Sequence, residues 1–196
     1  YVSKRHHRLE ERGNREMKKV LFYTNQFFGQ IGGEDKAYEK PFVKEGPVGP
    51  AMGFAQALND AEIVATIICG DNYYVENMDE VKSFIKEQLG NYKVDLFIAG
   101  PAFNAGRFGI ACADACAFVM KEAGIEAITG LYSENPAVEM YKRDIYILET
   151  GKSAASMKKA IDAMAAFASK LLSGEPIGTP AQEGYYARGK RINVFK

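Results

Sequence analysis

The sequence contains no tryptophan, two histidines and three cysteines among its 196 residues. Both histidines, His6 and His7, precede the first apolar segment, and we expect no functional role for them. The remaining sequence therefore has no Ser–His–Asp or Cys–His pair for nucleophilic catalysis. No apolar run reaches the roughly 18 residues of a membrane helix, and the first residues lack the apolar core of a secretory signal. These absences exclude histidine-based hydrolases and predict no membrane partner.

Net charge is absent as well, since 25 basic residues offset 25 acidic ones. A balanced chain is a poor candidate for binding driven by bulk positive charge, so we expect no nucleic-acid partner. The balance is uneven, because residues 1–19 carry seven Lys or Arg and three Glu. We interpret 1–16 as a polar leader, either an upstream extension or a cloning remnant. An α/β domain is predicted over 17–174, with a C-terminal tail or a linker to a missing half over 175–196.

The three cysteines are Cys69, Cys112 and Cys116. An odd number without a secretory signal is typical of a reducing cytoplasm, which is the predicted location. Cys112 and Cys116 would share one helix face, but turn-spaced zinc pairs and partner histidines are absent. We therefore predict buried packing for all three, with no metal and no cofactor held by this chain.

Short apolar runs alternate with amphipathic ones along the chain. Continuous apolar runs predict five strands covered on both faces, at 20–24, 63–69, 94–99, 126–129 and 145–149. Residues repeating every three or four positions predict helices at 50–59, 78–89, 107–123 and 153–172. The alternation predicts an α/β fold: a three-layer α/β/α sandwich on a mainly parallel, five-stranded, flavodoxin-like or Rossmann-like sheet.

Ligands of open α/β sheets bind beyond the carboxyl ends of the strands. Each predicted strand leads into a glycine-containing loop with polar residues, although tight turns alone would require the same residue types. The loops supply these candidate substrate-binding residues: Asn25, Glu34, Asp71, Asn72, Asn104, Arg107, Glu134 and Asn135. Asn104 and Arg107 fall at a predicted helix start, where backbone N–H groups favour a carboxylate.

Two phosphate-binding motifs fail at these loops. Gly151-Lys152-Ser153 matches the end of a P-loop, but that motif would require its first glycine at Tyr146. Gly106 and Gly109 do not complete a dinucleotide fingerprint. The sequence therefore predicts a small polar ligand at the loops and does not indicate a nucleotide.

Several loop sequences are long and unusual: Asn25-Gln-Phe-Phe-Gly-Gln-Ile-Gly-Gly-Glu-Asp-Lys36, Gly46-Pro-Val-Gly-Pro50, Ile68-Cys-Gly-Asp-Asn-Tyr73, Ala99-Gly-Pro-Ala-Phe-Asn-Ala-Gly-Arg107, Thr129-Gly-Leu-Tyr-Ser-Glu-Asn-Pro136, Glu149-Thr-Gly151, Gly184-Tyr-Tyr-Ala-Arg-Gly189 and Asn193-Val-Phe195. Together they resemble the selenoprotein B subunit of glycine/sarcosine/betaine reductase. The resemblance covers about residues 18–195, in order, and leaves the leader outside.

The resemblance implies an oligomeric reductase complex that cleaves a C–N bond of glycine, sarcosine or betaine. In that family a pyruvoyl-containing subunit of protein B activates the amine. A selenocysteine then attacks the α-carbon, and the product passes to selenoprotein A. The family's selenocysteine lies in a C-terminal half that has no counterpart here, and no cysteine of this chain has a similar context. The chain is therefore expected to bind substrate without carrying the nucleophilic step.

Within that family, the loop positions suggest how a substrate would be held. Arg107 or the helix start at Asn104 would take the carboxylate, and Asn72, Glu34 and Glu134 would orient the amine or the partner's carbonyl. Two other functions stay open. The loops could form a non-catalytic scaffold interface, or Glu34, Asp71 and Glu134 could surround a divalent ion in an isomerase-like enzyme, which the scarcity of histidine disfavours.

Overall fold

The computed structural model describes residues 16–189. The expectations for the leader up to residue 15, for both histidines and for 190–196 lie outside the described residues. Six strands are present in the described part: β1 Lys18–Thr24, β2 Phe42–Glu45, β3 Ala61–Ile68, β4 Leu96–Phe103, β5 Glu126–Leu131 and β6 Tyr146–Glu149. Seven α-helices accompany them there: α1 Ala51–Ala57, α2 Asp71–Glu76, α3 Met78–Asn91, α4 Gly106–Phe118, α5 Pro136–Tyr141, α6 Met157–Ser173 and α7 Pro180–Glu183.

All six strands belong to one sheet, in the order β2-β3-β1-β4-β5-β6. β2 pairs with β3 in the antiparallel direction, and every other pair is parallel. The prediction of five strands was therefore wrong in number, because an antiparallel edge strand is added. The five parallel strands keep the order second, first, third, fourth, fifth, which is the flavodoxin-like order.

Helices cover both faces of the sheet, as the continuous apolar strands predicted. On β1, Val20 and Phe22 pack into the core formed with α1 and α6. Leu21 and Tyr23 pack into the core formed with α2, α3, α4 and α5. All four side chains are fully buried, so β1 lies at the centre of a three-layer sandwich.

Helix boundaries differ from the predicted ones where the backbone changes its pitch. The helix predicted over 107–123 is α4 followed by a π-helical turn, Val119–Ala123, which ends at left-handed Gly124. The helix predicted from Ser153 starts as a 3-10 turn, Ala154–Ser156, and then continues as α6; the Ser153 hydroxyl caps the turn by accepting from the Ala155 amide at 3.4 Å.

The described part of the tail packs against the chain's own edge strand. Tyr185 forms an antiparallel bridge with Leu148 of β6, and the Tyr186 amide donates to the Ile147 carbonyl at 2.9 Å. The Arg188 guanidinium lies 3.8 Å from the ring centroid of Tyr146. This covering of β6 protects a sheet edge that would otherwise be free to pair.

Candidate functional site

A cleft of about 460 Å³ opens at the carboxyl ends of the strands. It lies where the strand order reverses, between β1 and β4, which is where open α/β sheets bind ligands. Its lining comes from four loops, those after β1, β3, β4 and β6: Asn25, Gln26, Phe27, Phe28, Gly33, Glu34, Asp71, Ala102, Phe103, Asn104, Ala105, Phe108, Lys152, Ser153 and Ala154. Four candidates from the sequence are among them: Asn25, Glu34, Asp71 and Asn104.

Asp71, the first residue of α2, is held from the loop after β1. Asn25 Nδ2 donates to Asp71 Oδ2 at 3.1 Å, and Gln26 Nε2 donates to the same oxygen at 3.4 Å. Gln26 Oε1 accepts from the Asp71 amide at 3.1 Å, while Asn25 Oδ1 accepts from the Phe28 amide at 3.0 Å. The two amide side chains therefore fix the carboxylate against β1.

Burial raises the pKa of Asp71 to about 6. The two amide hydrogen bonds and the positive charge of Arg107 act in the opposite direction, and the negative charge of Glu34 adds to the increase. Removing a carboxylate from water disfavours its charged form. A perturbed carboxyl group in a cleft is a typical feature of functional sites.

The candidates Asn72 and Arg107 form a pair beside the cleft, outside its lining. Arg107 Nη1 donates to Asn72 Oδ1, and Asn72 is buried while Arg107 is exposed. The backbone N–H of Asn72 donates to the Ala37 carbonyl at 2.9 Å. The same carbonyl would overlap a Cβ at residue 70, so only glycine fits there.

Asn135 holds two loops together, and Glu134 does not reach the cleft. Asn135 caps α5 by accepting from the Ala137 amide at 3.1 Å. Its Nδ2 donates to the Phe103 and Ala105 carbonyls at 3.1 and 3.0 Å. All its polar atoms are thus engaged, and it is only 1% exposed. Glu134 is exposed and does not line the cleft, so its predicted role, like those of the other candidates, stays a prediction.

One wall of the cleft is aromatic. Phe28 lies with its ring centroid 6.4 Å from that of Phe103 and 5.9 Å from that of Phe108. Phe103 has a φ of 53°, a left-handed conformation that is strained for an aromatic residue. The Phe103 carbonyl accepts from Asn135 Nδ2 at 3.1 Å and from the Tyr132 N–H at 2.9 Å. These two hydrogen bonds hold this conformation.

Positive charge, opposite in sign to that of Asp71 and Glu34, comes from the loop after β6 and from the start of α4. Lys152 lines the cleft; it lies in the fifth of the predicted polar loops, but it was not among the candidate residues. Asn104 and Ala105 lead into α4, whose N-cap Ala105 provides no side-chain hydrogen bond. First-turn N–H groups without a cap favour an anion. Gln26 and Lys152 are thus cleft residues that the sequence reasoning missed, and their position directly after strands was the available signal.

The three cysteines lie in the core as predicted, and each is free and fully buried. Burial raises the pKa of Cys69 to about 12, and it also raises the pKa values of Cys112 and Cys116 well above their ordinary range. Because the thiolate is the nucleophilic form, these thiols are inert at neutral pH.

Within residues 16–189, no three His, Cys, Asp or Glu side chains come together in a way that could hold a metal ion. The isomerase-like alternative required Glu34, Asp71 and Glu134 around one ion, and the structure does not bring Glu134 to the other two. No helix in this part of the chain is long and apolar enough to cross a bilayer.

The fold and cleft define an α/β protein with a cleft at the switch point of a flavodoxin-like sheet. A family model for glycine/sarcosine/betaine reductase selenoprotein B matches residues 17–196, and the chain belongs to that family. No solved structure matches it.

Curated relatives from three reductases are similar to the chain. The glycine reductase complex component B subunit gamma of Carboxydothermus hydrogenoformans is 54% identical over 90% of this chain. The sarcosine and betaine reductase complex component B subunits beta of Peptoclostridium acidaminophilum are 49% and 45% identical over 90% and 89% of it. The matched part is 41% of the first two relatives and 40% of the third.

Proposed function

We propose that this chain forms the substrate-binding cleft of protein B in an amine reductase complex that cleaves a C–N bond of glycine, sarcosine or betaine. The observation that carries the proposal is a cleft with charges of both signs, at the switch point, in a chain of this family. Asp71 and Glu34 supply negative charge, and Lys152 supplies positive charge. A small zwitterion carries the complementary pair.

The carboxylate end of the substrate would lie toward the start of α4. Asn104 and the uncapped first turn of α4 provide N–H donors, and Lys152 provides a countercharge. The amine end would lie toward Asp71 and Glu34. Bound this way, the substrate is fixed at both ends, which reduces the orientational freedom that a following reaction must overcome.

The nucleophilic step is assigned to other parts of the complex. Cys69, Cys112 and Cys116 are buried thiols with raised pKa values, so none of them replaces a selenolate. We propose that the selenocysteine and the pyruvoyl group are supplied outside the described residues, by a selenocysteine-bearing part and a pyruvoyl-containing subunit of protein B, with selenoprotein A as the acceptor. The exposed Phe27 at the cleft, 63% accessible, is a suitable contact for such a partner.

Calorimetric titration tests this proposal. Glycine, sarcosine and betaine are titrated into the chain alone and into the chain with its pyruvoyl subunit. At least one ligand should bind, and Lys152→Gln should weaken that binding by about tenfold because a charge-assisted contact is lost. Lys159→Gln, an exposed change on α6 outside the cleft, is the matched control. Absence of binding in both preparations would contradict the proposal and favour the scaffold function.

A further inference from the structure

The carbonyl of Leu131, at the end of β5, is the point where the tail meets two loops of the cleft. It accepts from the Thr150 N–H at 3.0 Å and from the Tyr186 hydroxyl at 2.8 Å. The next residue, Tyr132, donates its N–H to the Phe103 carbonyl at 2.9 Å. One carbonyl outside the cleft therefore holds the loop after β6 and lies next to the hydrogen bond that holds Phe103.

The loop after β6 brings Lys152 to the cleft and has few fixed points. In the described part of the chain, the Thr150 N–H to Leu131 is the one hydrogen bond that joins residues 150–154 to another element. The other hydrogen bonds of this loop are local, such as the one from the Thr150 hydroxyl to the Gly151 carbonyl at 2.9 Å. The position of Lys152 therefore depends on how the Leu131 carbonyl is held.

Tyr186 reaches this carbonyl from a tail that is itself fixed to the sheet. Its N–H donates to the Ile147 carbonyl at 2.9 Å, and the Glu149 N–H donates to the Gly184 carbonyl at 2.9 Å. The Tyr186 ring packs on the side of the sheet that α2, α3, α4 and α5 cover, whereas the Tyr185 ring packs on the opposite side. Burial raises the pKa of Tyr186 above its ordinary value, so its hydroxyl stays a donor at neutral pH.

We propose that Tyr186 is a positioning residue, whose hydroxyl fixes the Leu131 carbonyl and thereby sets the positions of Lys152 and Phe103 in the cleft. A carbonyl oxygen has two acceptor positions. With both filled its direction is fixed, whereas with the Thr150 bond alone it can rotate about that bond and both loops can shift. For its binding test this inference rests on the proposed function, because a displaced charged contact holds a substrate less well.

Removal of one hydroxyl tests the proposal, and the adjacent tyrosine provides the matched control. Tyr185→Phe loses a hydrogen bond of the same length, from its hydroxyl to the Gly178 carbonyl at 2.8 Å, which lies within the tail. Tyr186→Phe and Tyr185→Phe should therefore lower the urea midpoint to a similar, small extent. In the ligand-free chain, Tyr186→Phe alone should shift the amide NMR signals of Lys152 and Asn104.

Calorimetric titration into the chain with its pyruvoyl subunit gives the second measurement, with whichever of glycine, sarcosine and betaine binds the wild type most tightly. Tyr186→Phe should weaken this binding by about fivefold, and Tyr185→Phe should leave it unchanged. Unchanged amide signals of Lys152 and Asn104, or equal effects of the two substitutions, would overturn the inference and leave the proposed function intact. If none of the three ligands binds the wild type, the proposed function fails, and the amide signals of the ligand-free chain decide the inference.

Discussion

Asp71 lies in the cleft, and its environment is unfavourable to its own charge. Its pKa rises from 3.8 to about 6 because burial outweighs the hydrogen bonds from Asn25 and Gln26. A group kept in such an environment reduces stability, which is expected at sites selected for binding.

The raised pKa predicts a pH dependence of stability. The native state holds the proton of Asp71 more tightly than the unfolded chain, so this contribution is present below pH 3.8 and is lost as pH rises to about 6. Asp71→Asn should remove that loss and gain about 1–3 kcal/mol relative to wild type at pH 7.5. Urea unfolding from pH 4 to 8 measures the difference.

Several groups influence the pKa of Asp71, and the variant leaves all of them unchanged. The hydrogen bonds and charges come from Asn25, Gln26, Glu34 and Arg107. Tyr23, Cys69 and Cys112 are coupled to Asp71 through their charged forms. The difference between the two profiles thus isolates Asp71. Asp79→Asn, an exposed change on α3 outside the cleft, is the control and should follow the wild-type profile. Parallel profiles for wild type and Asp71→Asn would contradict the expected pKa shift.

The loops between elements are positioned by individual side chains. Asn135 joins the start of α5 to the end of β4 and the start of α4 through three hydrogen bonds. It is packed so closely that a Cβ on Gly109 of α4 would lie 2.5 Å from Asn135 Nδ2. Because Phe103 and Ala105 line the cleft, Asn135 shapes the cleft without entering it.

Replacing Asn135 should therefore lower the free energy of unfolding and change the shape of the cleft. Asn135→Ala removes the cap of α5 and leaves the Phe103 and Ala105 carbonyls without this donor, which predicts a loss of about 2–4 kcal/mol. Thermal or urea unfolding measures it. Asn91→Ala, an exposed change at the end of α3, should cost much less. Equal effects of the two substitutions would show that Asn135 does not join the loops.

The elements that the sequence predicted are those with strong apolar patterns. The five parallel strands have continuous buried apolar runs, and α6 has buried residues at helical spacing, so both kinds of element were predicted. β2 was missed because Phe42–Glu45 is a four-residue edge strand with no buried side chain. α2 and α5 were missed because each has six residues, too few for a periodic pattern.

Residues of the cleft were predictable only where position after a strand was sufficient. Asn25, Glu34, Asp71 and Asn104 were found in this way. The polar atoms of Asn135 bind the backbone of neighbouring loops, and the sequence could not distinguish this structural role from contact with a ligand. Lys152 also follows a strand, which was a usable signal, but the sequence could not show that its side chain reaches a cleft lined by residues after β1, because that proximity depends on tertiary packing.

At the scale of the whole described chain, residues 16–189, a three-layer sandwich carries a cleft whose polar groups follow four different strands. The carboxyl ends of parallel strands bring these loops together although they are far apart in sequence. Family membership and the zwitterion-compatible charges then point to the same ligand class. The chain spans about 41% of its relatives, so the complete reaction is proposed for the assembled complex.

Amide chemical shifts followed by NMR during a glycine titration test the central claim most directly. The account predicts saturable shifts concentrated in the cleft segments 25–34, 102–108 and 152–154, together with the Asp71 amide. Asp71→Asn should greatly reduce them at the same glycine concentration. Absence of saturable shifts, in the chain alone and with its pyruvoyl subunit, or shifts confined to the amino ends of the strands, would contradict the account.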